Sequence, residues 1–131
     1  MKRLAALAGY DVGYGHYSPD EKWVGMNVQP PGNSMVGVIP AQGGTPQILL
    51  DRPGLAYPYG WASDNDRILF AGRFGGIWNL YWISRTTRHV EQLTHYQGLR
   101  TYVRYPSWSL DAKRIVFEFN ESKANIFLAS L

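Results

Sequence analysis

Short runs of β-branched and aromatic residues alternate with polar turns along the whole chain, and no stretch sustains a helical period. Trp23-Val24-Gly25-Met26, Arg67-Ile68-Leu69-Phe70-Ala71 and Arg114-Ile115-Val116-Phe117 each follow a polar turn. That turn is itself preceded by an aromatic residue: Tyr17, Trp61 or Trp108. A second run comes next, Ser34-Met35-Val36-Gly37-Val38-Ile39, Asn79-Leu80-Tyr81-Trp82-Ile83 and Asn125-Ile126-Phe127-Leu128. Each copy begins about 17 residues after its opening aromatic, and runs of this length and composition between turn residues predict strands. A third run, Pro46-Gln47-Ile48-Leu49 and Val90-Glu91-Gln92-Leu93-Thr94, follows in the first two copies. With the strand that carries the opening aromatic, the pattern predicts a four-stranded antiparallel meander, written A to D from the inside outwards.

The meander repeats. The phrases Tyr17-Ser18-Pro19-Asp20-Glu21-Lys22-Trp23-Val24, Trp61-Ala62-Ser63-Asp64-Asn65-Asp66-Arg67-Ile68 and Trp108-Ser109-Leu110-Asp111-Ala112-Lys113-Arg114-Ile115 recur at intervals of roughly 45 residues, the spacing of one propeller blade per repeat. The expected fold is therefore all-β, a β-propeller of about three four-stranded blades at residues 10–54, 55–98 and 99–131. Residues 2–5 align with strand D of the other copies and are expected to complete the last blade as a closing strand, which removes an open sheet edge. Three blades cannot close a ring alone. The chain is expected to be part of a longer propeller or half of a six-bladed ring made by a homodimer.

These repeats resemble the WD40-like (PD40) propeller repeats of TolB-like proteins, whose wording is W-S-P-D-G-K-R-I-x-F, then an N-hydrophobic-Y strand, then x-Q-L-T. The resemblance rests on Trp108 to Phe117, Asn79 to Ile83 and Glu91-Gln92-Leu93-Thr94, and departs where Glu21, Asn65 and Ala112 replace the turn glycine. It implies a non-enzymatic scaffold that binds protein or peptide, and a periplasmic or extracytoplasmic setting for a longer parent chain. The alternative is an accessory or remnant propeller of a larger enzyme, a prolyl-oligopeptidase-like peptidase or a sugar-acting propeller enzyme.

Composition narrows the chemistry. At 131 residues, 45% hydrophobic and 15% aromatic, with 14 glycines and 8 prolines, the chain reads as globular and turn-rich. A net charge of +3 from scattered basic residues is no footprint of a nucleic-acid binder. The apolar stretch after Lys2-Arg3 ends at Gly9, too short for export or for crossing a bilayer. His16, His89 and His95 lack metal-ligand spacing, there is no cysteine, and no nucleophile elbow, zinc-protease helix or phosphate loop occurs. No cofactor, metal or catalytic set is expected. Gly72-Arg73-Phe74-Gly75-Gly76 reads as a hairpin, and Asp20, Asp64 and Asp111 as turn formers that accept backbone N–H groups. Trp61 and Trp108 read as wedges between blades, so Trp108→Ala is expected to unfold the domain by opening a core cavity.

In a propeller, the loops before strand A and between B and C gather around the mouth of the central channel. That face is expected to carry Tyr10, Asp11, Tyr14, His16, Tyr57, Tyr59, Tyr102, Arg104 and Tyr105, with Arg73 and Phe74 from a B–C loop. Tyrosine and arginine anchor interfaces because they bury large area while keeping a polar handle. The plain alternative for each tyrosine is packing between blades. At that mouth, His16 with Asp11 is the only local acid–histidine pair worth checking.

Overall fold

The computed structural model describes residues 9–122. The expected closing strand at 2–5 and the run Asn125–Leu128 lie outside the described residues.

The strands form in the order the pattern predicts. The first sheet is β1 (Asp11–Tyr17), β2 (Trp23–Gln29), β3 (Met35–Pro40) and β4 (Gln47–Leu50); the second is β5 (Leu55–Trp61), β6 (Arg67–Phe74), β7 (Ile77–Ser84) and β8 (Val90–Gln92). Both are antiparallel meanders with strands neighbouring in sequence order. β9 (Thr101–Trp108) and β10 (Ile115–Glu121) pair as the start of the third. Pro58 and Pro106 are tolerated because β5 and β9 lie at sheet edges, where a missing N–H breaks no ladder.

The three A–B turns are copies of one another. Ser18, Ala62 and Ser109 each donate a backbone N–H to the carbonyl five residues on, all at 2.8 Å. Asp20 accepts from the Lys22 N–H, Asp64 from those of Asp66 and Arg67, and Asp111 from that of Lys113. The three residues that replace glycine all stand in left-handed backbone: Glu21 at φ 59°, Asn65 at 59° and Ala112 at 53°. Asparagine tolerates this conformation, whereas alanine is strained there by its Cβ. Ala112→Gly is expected to raise stability by about 1 kcal/mol, read as a higher urea midpoint at unchanged slope. An unchanged midpoint would show that the turn strain is relieved elsewhere.

Side-chain alternation explains the layers. In β6, Ile68, Phe70 and Phe74 face the first blade, where they join Val36, Val38, Leu49, Trp61, Tyr81 and Ile83 in one core. The opposite face of the second blade carries Ala71, Trp78 and Leu80 against Val103 of the third, with Ile115 and Phe117 alongside. Its central strands are apolar on both faces because a blade covers each. Polar ties cross the same seams. Buried Asn27 donates through Nδ2 to the Ala56 carbonyl at 2.7 Å, and Ser34 Oγ donates to that carbonyl at 3.0 Å. Asn79 Oδ1 accepts from Thr94 Oγ1 and from the Tyr96 N–H, both at 2.8 Å, fixing the loop that leads into β9.

Candidate binding face on the inner strands

Each inner strand carries an irregularity where its tyrosines sit. β1 is bulged between Gly13 and His16, β5 between Pro58 and Gly60, and β9 opposite the step from Val116 to Glu118. In the first and third blades the bulge puts a tyrosine in left-handed backbone, Tyr14 at φ 54° and Tyr105 at φ 50°. In the second, Pro58 pairs with Phe70 just before the irregularity, and its ring forbids positive φ. Such strain in a bulky residue persists only where the surrounding structure over-determines it, and it concentrates at ligand-contacting positions.

The rings meet from blade to blade. Tyr14 and Tyr57 lie 5.4 Å apart between centroids, Tyr57 stacks on Trp78 at 6.0 Å, and Trp78 meets Tyr102 at 5.0 Å. Tyr59 and Tyr105 make an edge contact at 6.0 Å. The Arg104 guanidinium stands over both Tyr102, at 5.1 Å, and Tyr105, at 5.3 Å, and pairs with Glu118 at 2.8 Å. Tyr14 and Tyr105 are 54% and 63% exposed, unusual for rings engaged in a packed series. Burial pushes the Tyr57 and Tyr59 hydroxyls above the ordinary tyrosine range, the latter against a backbone hydrogen bond at Tyr105. Both hydroxyls therefore stay protonated at neutral pH and can donate.

Two clefts adjoin this line. Tyr10, Asp11 and Tyr57 border one of about 640 Å³ beside the β2–β3 loop. Arg73, Tyr102 and Arg104 border one of about 470 Å³ between the second and third blades. Trp78, Arg100, Asn120 and Ser122 share the second cleft and were not among the expected site residues. Trp78 lies in the largely apolar strand Ile77–Ser84, which reads as core, so local pattern carries no signal of its place at the cleft.

Three expectations are corrected. Tyr14, Tyr57, Tyr59, Tyr102 and Tyr105 lie within strands β1, β5 and β9 rather than in loops, while Tyr10 stands just before β1. Phe74 is not on the binding face: β6 runs through it, and it is buried against Tyr81 at 5.3 Å with Arg52 3.7 Å from its ring centroid. His16 does not converge with Asp11: it pairs with Gly25 while Asp11 pairs with Gln29 at the other end of β1. Burial holds its imidazole below the ordinary histidine range, and its carbonyl accepts the Trp61 indole N–H at 2.9 Å.

Two solved structures superpose on this fold. The putative TolB from Agrobacterium tumefaciens superposes with a TM-score of 0.69 at 24% identity, over 77% of this chain and 35% of its own. TolB from Acinetobacter baumannii superposes with a TM-score of 0.74 at 20% identity, over 93% of this chain and 30% of its own. The fold is a TolB-like β-propeller. The chain spans about a third of the length of these propellers. No protein-family model and no curated protein matches the sequence. Within the propeller, Tyr17 occupies the place that Trp61 and Trp108 hold in their blades, yet it is 59% exposed. Among the described residues no blade covers that side of β1, no group of three or more potential ligands could hold a metal ion, and no helix is long and apolar enough to cross a membrane.

Proposed function

We propose that this chain is a non-enzymatic propeller scaffold that binds a protein or peptide through the tyrosine and arginine side chains of its inner strands. The observation that carries the reading is the partly exposed line of rings, with Tyr14 and Tyr105 held in left-handed backbone at corresponding bulges. Rings presented on rigid strands lose little conformational entropy on binding, which suits them as anchors. The separation of Asp11 from His16 lends no support to a remnant enzyme.

The test uses Tyr14→Gly and Tyr105→Gly, alone and together. Glycine relieves the backbone strain, so each variant is expected to fold with unchanged or higher stability. Peptides selected from a random display library against the full chain are expected to bind either variant at least tenfold more weakly. Undiminished binding by both variants, or a library that yields no binder, would overturn the reading. The trade of stability against binding is what a strained contact residue predicts and a merely structural one does not.

A further inference from the structure

The two clefts occupy corresponding places. One opens between the β2–β3 loop and the start of β5, the other between the β6–β7 hairpin and the start of β9. What a repeat shares is scaffold, and what differs between its copies is where a site has been built. The first cleft is lined by Pro30, Pro31, Gly32 and Asn33, with Asp11 as its charged residue. The second is lined by three arginines, Arg73, Arg100 and Arg104, and by no acid.

The arginines are oriented by the fold. Arg73 donates Nε–H to the Gly76 carbonyl at 3.2 Å, which anchors it to its own hairpin and leaves the terminal N–H groups beyond that bond. Arg104 directs Nε at 2.9 Å and Nη2 at 2.8 Å to a single oxygen of Glu118. That pairing neutralises the neighbouring carboxylate and holds the guanidinium plane in place. Trp78, 8% exposed, and Tyr102 form the adjoining wall, and Thr101, Asn120 and Ser122 add polar groups.

We propose that the cleft between the second and third blades receives a side-chain carboxylate of an acidic peptide segment, bound by Arg73 and Arg104 with Trp78 and Tyr102 beside it. The proposal rests on the function proposed above and names the chemistry of its partner. A planar guanidinium fork matches a carboxylate in two parallel hydrogen bonds. A polyanion such as nucleic acid needs a continuous basic track, whereas the basic residues outside this cleft are scattered at a net charge of +3.

The test is a titration of the full 131-residue chain followed by NMR at the backbone amides, arginine Nε–H and tryptophan indole N–H. Three probes are compared: acetyl-Asp-Glu-Tyr-Glu-amide, its neutral counterpart acetyl-Asn-Gln-Tyr-Gln-amide, and inorganic phosphate. The acidic peptide is expected to shift Arg73, Arg104 and Trp78 saturably. The neutral peptide is expected to leave them in place, and Arg73→Gln to weaken acidic-peptide binding at least tenfold at an unchanged melting temperature. Equal shifts from both peptides, or no cleft shift from the acidic one at millimolar concentration, overturns the proposal. Phosphate shifting the same resonances at lower concentration also overturns it, in favour of a free-anion site. If both peptides shift Tyr14 and Tyr105 but leave the cleft unmoved, the acidic cleft fails while the binding face stands; failure of the tyrosine variants to lose binding sinks the face itself.

Discussion

Trp61→Ala is expected to destabilise the chain by about 3–5 kcal/mol, the cost of truncating a buried tryptophan at a site that cannot collapse around the loss. Trp61 is 8% exposed and packs in the core shared by the first two blades. Its indole lies so close to Gly25 that a Cβ there would stand 3.1 Å from Nε1, so the two residues are fitted to each other across the seam. The indole N–H also reaches from the second blade to the His16 carbonyl of the first. Truncation leaves a cavity between blades and a carbonyl without its donor. Against the 5–15 kcal/mol typical of a whole domain, such a loss takes away a large share of stability. Urea unfolding followed by far-ultraviolet circular dichroism measures it. Trp61→Phe, which keeps most of the wedge and loses the hydrogen bond, should cost about 1–2 kcal/mol. Trp108→Ala should cost less than Trp61→Ala: Trp108 is only half-buried, its indole N–H is buried without an acceptor among the described residues, and Arg67 lies 5.1 Å from its ring centroid. A Trp61→Ala midpoint close to that of the parent would show that the wedge does not hold the blades together.

Gly54→Ala is the second large effect, a loss of about 3 kcal/mol from backbone strain and overpacking together. Gly54 sits at φ +134°, a region that L side chains rarely enter. A Cβ there would collide with the Arg73 carbonyl oxygen and stand 2.8 Å from Phe74 Cδ1. The carbonyl belongs to the ladder of β6 and cannot move aside as a side-chain tip could. Gly54 is also tied on both sides, donating its N–H to Asn33 Oδ1 and accepting from the Ser34 N–H, each at 3.1 Å. The β2–β3 loop is thereby clamped to the start of β5. Gly75→Asn is the matched control: φ is 59°, nothing lies within 4 Å of its Cβ position, and asparagine tolerates that backbone. It should leave the denaturation midpoint nearly unchanged. A Gly54→Ala midpoint as little changed as that of Gly75→Asn would remove both the strain and the steric argument.

Much of the fold was legible because its determinants are local. Alternation over a few residues marks a strand, and a Ser/Asp-rich phrase marks the A–B turn. The left-handed φ of Glu21, Asn65 and Ala112 confirms that these residues occupy the glycine place of the repeat despite their side chains. The Gly75-Gly76 hairpin was legible for the same reason, with φ of 59° and 82°. The candidate site was less so. Extending β6 to Phe74 puts that ring on the same face as Ile68 and Phe70, inside the core, and leaves Arg73 on the other face beside the cleft. A strand boundary misplaced by a few residues therefore moves a binding residue into the interior.

The sequence by itself determined the meanders, their repeat, the turns that join them and the apolar faces they must bury, since each depends on neighbours within one blade. Only the tertiary structure decided that Trp78 bridges Tyr57 and Tyr102 and that Arg73 and Arg104 meet at one cleft. Those contacts join residues of different blades, and their register is set by how side chains interdigitate across the seam, a long-range packing outcome that no local period encodes.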